Sequence, residues 1–282
     1  MRRILLSLRY DGSAYHGWQV QDNAVTVQSV LQSAAENVLG TRPDITGCSR
    51  TDSGVHANMF CCHLDVETEI SDLSLIKALN AYLPDDIAVY DCKTVEGDFH
   101  ARYSCTGKNY IYKIYDNPYR NPFYEGVALH VKRPIDTELL DKAAKGFVGT
   151  YDFSGFCSSG SSVKDKVRTV YDASVKKEGD LTVFSVTADG FLYNMVRIMV
   201  GTLIYVAEGK INADEIPEII QKLEARADIT ILDRVAENYK IVGWEKIPGN
   251  AKKFQTIKDY LYKYQMPLAG HMPQYRGEPH SG

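Results

Sequence analysis

The 282-residue sequence predicts an α+β protein made of two consecutive, similar units, and three features carry that expectation. Short stretches of alternating apolar and polar residues, the period of a half-buried strand, are interleaved with stretches whose apolar residues recur at helical spacing. Over the first hundred residues these stretches run in the order βαββαβ. A second, similar cycle then begins, so one α+β unit follows another. Each has the split βαβ, ferredoxin-like plan that RNA-binding domains of the RRM type also use.

The first strand is expected near 4–9, where Ile4-Leu5-Leu6-Ser7-Leu8 follows a short basic start. A helix over 26–39 is well marked. Thr26 suits its N-cap, Val27, Val30, Leu31, Ala34, Val38 and Leu39 share one face, and Gly40 suits its end. Strands near 44–49 and 59–66, a helix near 71–81 and a strand near 86–94 complete the first unit, residues 1–104. The second unit, 105–248, opens with the strand Lys108–Tyr115. It continues with a helix near 136–148, strands near 167–177 and 181–189, helices near 190–207 and 212–225, and a strand near 238–246. After Pro248 the chain turns polar and aromatic, and residues 249–282 are expected to form a tail with a short helix at Lys253–Tyr264.

A composition of 44% hydrophobic and 24% charged residues is that of an ordinary globular chain. The net charge of −4 argues against a protein that coats nucleic acid indiscriminately, since neutralising phosphates needs clustered cations. It leaves room for a local basic groove. Arg50, Arg102, Lys108 and Lys113 are candidates for one, as are Lys164, Lys166 and Arg168 after the run Ser158–Ser162; a solvated face is the competing reading. Met1-Arg2-Arg3 runs straight into a strand without the apolar core of a secretion signal, so the expected compartment is the cytoplasm. The six cysteines show no metal-ligand spacing with the seven histidines and read as reduced thiols. No phosphate-binding or dinucleotide glycine fingerprint is present, so no cofactor and no metal are expected.

The segment Gly47–Ala57 sets one carboxylate, Asp52, in a polar turn between apolar stretches. Gly47 and Gly54 would allow unusual backbone angles there, and Arg50, Thr51 and Ser53 would supply donors. A reactive Asp and a plain structural turn both fit. The βαββαβ plan puts this turn between the two middle strands, at the end of the sheet. Phe191–Ala207 is apolar on nearly every face yet carries Arg197 in its middle. A buried guanidinium requires a carboxylate, and Asp52 is the partner expected. Tyr110 and Tyr112 share one face of a strand, which fits packing or a site. His56 reads as bonded to backbone or contacting RNA and not as a general base. His100 and Arg102 read as a surface loop or as RNA-facing groups, and Tyr10-Asp11-Gly12 as a plain turn or a contact.

Arg50-Thr51-Asp52-Ser53-Gly54-Val55-His56-Ala57 resembles the Arg-Thr-Asp-Ala-Gly-Val-His signature of the TruA family of tRNA pseudouridine synthases. Four more segments resemble it in the same order. They are Tyr10-Asp11-Gly12-Ser13 through Gly17-Trp18-Gln19 and Gln21, Asn80-Ala81-Tyr82-Leu83-Pro84, Phe99-His100-Ala101-Arg102 with Tyr110 and Tyr112, and Asn194 through Gly201. The resemblance implies two sheets joining around a central cleft, and isomerisation of uridine without a cofactor. It implies Asp52, Tyr110 and Arg197 as the catalytic set, with Arg197 holding Asp52 ionised and Tyr110 stacking on the base and helping remove its C5 proton. It also implies RNA contacts from Tyr10, Asp11, Gln19, Arg50, His56, His100 and Arg102. A tRNA substrate modified near positions 38 to 40 of the anticodon stem-loop, a homodimer and no membrane association follow from it as well.

The chain departs from the family where Phe60 replaces a usual Gln behind Asp52, and in Arg226–Trp244, where the family's small-residue and Gly-Leu stretch is hard to find. A paralogue acting on another RNA would fit these departures. A non-catalytic RNA-binding protein would keep the fold without needing Asp52, Tyr110 and Arg197. A nucleosidase would need a second carboxylate or a metal to activate water.

Overall fold

The structure is a computed structural model and describes residues 1–158 and 163–225. The first unit comprises β1 (Arg2–Tyr10), α1 (Val27–Leu39), β2 (Thr46–Gly47), β3 (Ala57–Val66), α2 (Asp72–Tyr82) and β4 (Ile87–Val95), the order the sequence predicts. Its sheet runs β2-β3-β1-β4, with β1 antiparallel to both neighbours. Ile4, Leu6, Leu8 and Tyr10 of β1 point to one face and are buried with Val27, Leu31, Leu75 and Leu79 from the helices. That is the packing a period-two strand against two amphipathic helices requires.

The ends of α1 follow from its sequence. Thr26 and Ser29 form a reciprocal capping box, and Gly40 closes the helix at φ 74° with its N–H on the Glu36 carbonyl. The strand expected over 44–49 pairs only at Thr46 and Gly47, because the chain leaves the ladder after Cys48 N–H reaches the Cys61 carbonyl.

The second unit has β5 (Lys108–Asp116), β6 (Leu129–Val131), α3 (Thr137–Lys145), β7 (Gly149–Asp152), β8 (Val167–Glu178), β9 (Leu181–Ala188), α4 (Met195–Ala207) and α5 (Ile216–Ala225). Its sheet runs β6-β5-β9-β8-β7, with β5 and β6 parallel and the other pairs antiparallel. Among the described residues the two sheets are separate hydrogen-bonded sets. Phe147, Phe153, Phe156, Phe184, Met199 and Leu203 are buried in a second core.

Three helices begin or end differently from expectation, and the one expected over 212–225 starts at Ile216 after a 3-10 turn over Ala213–Glu215. The helix expected from 190 starts at Met195, because Asn194 sits in the left-handed region at φ 61° and interrupts the helical path. The helix expected to run to 148 stops at Lys145, where Gly146 caps it and Phe147 turns into the core. β6 and β7 are strands that the pattern did not mark. The strand expected at 238–246 and the helix at Lys253–Tyr264 lie outside the described residues.

Asn80 shows that one motif serves the fold. Its side chain accepts from the Val89 N–H at 2.8 Å and donates to the Val89 carbonyl at 2.7 Å, satisfying the outer edge of β4 from α2. Asn80→Leu leaves both groups unpaired, and each costs about 1–3 kcal/mol. Urea denaturation should show that loss while m is unchanged; a midpoint equal to wild type would show that water replaces the amide without penalty.

Candidate active site

Asp52 lies in the connection from β2 to β3, at one end of the first sheet. Val55 N–H bonds the Asp52 carbonyl at 3.2 Å, and Gly54 between them has φ 77°. Asp52 therefore begins a tight turn whose third position needs glycine. A second loop, Asp11–Trp18, clamps this turn: Trp18 N–H bonds the Thr51 carbonyl and Gly54 N–H the Tyr15 carbonyl, each at 3.1 Å. Gly12 and Gly17 allow that approach, since a Cβ on the first would strike the Val55 carbonyl and one on the second the Thr51 carbonyl. Gly17 also has φ 87°.

Several expectations change here. Gly47 does not supply an unusual backbone angle; its missing side chain makes room for the Trp18 and Phe60 rings, whose centroids are 4.2 Å apart. Phe60 is buried there, so the departure from the family's Gln lies in the packing behind the turn. Thr51 directs its hydroxyl to Tyr10 at 2.9 Å, and Ser53 donates to the Tyr15 carbonyl at 3.3 Å. These hydroxyls brace the loop.

Tyr10, expected to touch RNA, is 4% exposed and packs on Trp18 and Phe60. His56 is buried too. Its Nδ1 lies 3.0 Å from Asp11 Oδ1 and its Nε2 3.4 Å from the Gly126 carbonyl, so it ties three loops together. The Gly12 N–H also reaches Nδ1, at 3.3 Å, so the ring nitrogen is shared between the backbone of that loop and the Asp11 carboxylate. That hydrogen bond from His56 is the main cause holding the Asp11 carboxyl below its ordinary range. Arg50, Gln19 and Arg102 are exposed, as RNA contacts must be. His100 is half-buried, its Nδ1 accepting the Arg102 and Tyr103 N–H groups.

Arg197 and Asp52 meet as the buried charge requires. Arg197 is 1% exposed, and its Nη2 lies 3.5 Å from Asp52 Oδ2. The pair is longer than a charge-assisted hydrogen bond of good geometry. Burial of the Asp52 carboxyl outweighs it, so the pKa of Asp52 is raised, with Arg197 opposing the rise. Arg197 thus favours the charged form of Asp52 but offsets only part of a larger desolvation cost.

Tyr110 stands on β5 at the margin of the second core, half-buried, with Phe191 edge-on at 4.8 Å. Burial raises its pKa most, a hydrogen bond with Ser49 lowers it, and the Asp52 charge raises it further. Tyr112, on the same face, is fully buried. Asp52 and Ser49 come from the first unit and Tyr110 and Arg197 from the second, so the site is assembled where the two meet. Sequence reasoning missed Ser49, Phe191 and the clamp made by Gly12 and Gly17. The doubled glycine in Tyr10–Trp18 was the available signal. Among the described residues no group of three or more His, Cys, Asp or Glu is placed to hold a metal ion. No described helix is long and apolar enough to cross a membrane.

A family model described as tRNA pseudouridine synthase matches residues 7–104 and 143–240. The chain belongs to that family. The tRNA pseudouridine synthase repeat falls on the two halves that supply Asp52 and Arg197. A protein of Thermoanaerobacter sp. (strain X514) named tRNA pseudouridine synthase A is 46% identical over 82% of this chain and 95% of its own length. Proteins of the same name from Acetivibrio thermocellus and Staphylococcus aureus are 46% and 40% identical, each over 78% of this chain, and over 91% and 83% of their own lengths. A solved structure of a Cbf5-Nop10-Gar1 complex aligns at 12% identity and a TM-score of 0.32 over 71% of this chain and 53% of its own, too distant to bear on the site.

The raised pKa of Asp52 has a thermodynamic signature. The folded chain holds that proton more tightly than the unfolded chain, so the site's contribution to stability is greatest below the ordinary carboxylate pKa. It is lost as pH rises through the raised folded value. Asp52→Asn removes the titration, and calorimetry should show a higher melting temperature than wild type at neutral pH, the gap closing toward about pH 4. A less stable variant at neutral pH would mean that the ion pair with Arg197 outweighs burial.

Proposed function

We propose that this chain isomerises uridine to pseudouridine in tRNA, in the anticodon stem-loop near positions 38 to 40, with Asp52, Tyr110 and Arg197 carrying the chemistry. The observation that supports this most is the meeting of a partly exposed Asp52 with a buried Arg197 from the other unit and a Tyr110 ring beside them. The reaction breaks the N1–C1′ bond, turns the uracil and joins C5 to C1′. A proton leaves C5 and one returns to N1, so nothing is oxidised or reduced. Asp52 acts at the ribose, Arg197 favours its charged form, and Tyr110 holds the base and handles the C5 proton. The target base must leave its stack to reach Asp52, and exposed Arg50, Gln19 and Arg102 stand ready for the displaced strand and its phosphates.

The chain's two halves, divided after residue 104, a tail over 249–282, action in the cytoplasm and a homodimer gripping one tRNA with both subunits belong to the same proposal. Light scattering on the purified chain checks the dimer.

Release of tritium from [5-³H]uracil-labelled tRNA tests the reaction, since only loss of the C5 proton sends label to water. Asp52→Asn should abolish release while tRNA affinity stays within several-fold, because shape is kept and charge is lost. Tyr110→Phe should slow release more than it weakens binding, whereas Tyr110→Leu should also lose about 1–3 kcal/mol of stacking. A fully active Asp52→Asn enzyme sinks the assignment.

Arg197→Met should fit the apolar surroundings of α4 and change the melting temperature little. Without the cation the Asp52 pKa rises further, so the acidic limb of kcat/KM against pH should move upward and the rate at neutral pH fall by about 100-fold. An unmoved acidic limb would separate Arg197 from the chemistry.

A further inference from the structure

The segment 117–127, which joins β5 to β6, carries features that neither the Asp52 turn nor the two cores use. Tyr119 is 81% exposed and Phe123 78%, and the exposed Arg120 lies between them. Single exposed rings are ordinary on protein surfaces, so the manner in which these are held matters more than their exposure. Asn117 and Asn121 each accept a backbone N–H two residues on, from Tyr119 and Phe123, at 3.0 Å. Pro122 opens a short 3-10 turn whose last ring, Tyr124, packs inward on Tyr115 at 5.0 Å. His130 Nε2 sits 2.7 Å from the Asn117 carbonyl. The backbone is therefore set in advance, and both rings are offered with little ordering left to do on binding.

The segment is also attached to the site. β6 runs parallel to β5 with Leu129 opposite Ile114, so the crossover must carry the chain back along β5 toward the end that bears Tyr110. Gly126 arrives there, its carbonyl 3.4 Å from Nε2 of His56, four residues past Asp52.

We propose that Tyr119 and Phe123 form a stacking platform for unpaired nucleobases of the RNA that carries the target uridine, with Arg120 against a backbone phosphate. This rests on the RNA-modifying reading above. Isolated rings suit bases, because every base offers a π face and needs no contiguous apolar surface. A second copy of this chain would need such a surface, and Asn121 and Glu125 interrupt it here. The exposed cation Arg120 lies between the rings, with Lys132 and Arg133 following in the chain, against Glu125 and the Asp180 charge that reaches Tyr124.

The test uses the full-length chain and an RNA stem-loop bearing the target uridine. Replacing both rings, Tyr119→Ser with Phe123→Ser, should raise Kd and KM by at least about ten-fold, and Trp at both positions should restore them. Arg120→Gln should lower the slope of log affinity against log salt by about one, while the ring variants keep the wild-type slope. A Kd within about two-fold of wild type for the double Ser variant overturns the inference. So does weaker binding accompanied by a change in sedimentation mass, which would make these rings a contact between copies. A wild-type chain that binds the stem-loop, loses affinity on ring removal, and never isomerises it removes the proposed reaction and leaves the platform standing. A wild-type chain that binds no RNA removes both.

Discussion

A guanidinium buried inside an apolar helix is the constraint on which the rest of the arrangement hangs. Arg197 lies among Met195, Val196, Met199 and Val200, and nothing on its own helix offers it a negative charge. Taking such a group out of water costs several kcal/mol unless an anion is brought to it. The anion belongs to the other unit, so α4 and the turn carrying Asp52 must be held together. Asp52, in turn, is buried more than one loose pair can offset. The site thus stores two partly compensated charges, a state that favours reactivity over stability.

Holding that state requires a stiff turn. The stiffness comes from backbone pressed on backbone, through Gly12 and Gly17 against Thr51 and Val55, with Trp18 and Phe60 wedged beneath Gly47. Hydroxyls of Thr51 and Tyr10, and the imidazole of His56, fasten the margins. Residues that look like reactive or RNA-binding groups in one dimension act as braces in three.

Local chemistry was legible where it determines structure by itself. Thr26 and Gly40 mark α1 because a capping hydroxyl and a left-handed glycine act within one turn of helix. Arg197 was legible as a site residue because a charge in an apolar run demands a partner at any distance. β6 and β7 were not, since three or four residues gain their strand character only from neighbours elsewhere in the chain. The start of α4 was hidden because Phe191–Asn194 has the composition of the helix it precedes, and only the φ of Asn194 separates them. The burial of Tyr10 was hidden because exposure is a tertiary property. The direction of the Asp52 shift was out of reach for a similar reason, as it depends on whether burial exceeds a 3.5 Å pair.

The division of the Asp52–Arg197 pair between the two halves bears on how the enzyme is born. Chains emerge from the ribosome amino end first, and units fold as they appear. When the first half has left the tunnel, Asp52 is still open to water and without its cation, and Tyr110 has no sheet to stand on. On the proposed reading a half-made chain lacks the cation and the tyrosine that the reaction uses, and competence waits for α4 to dock.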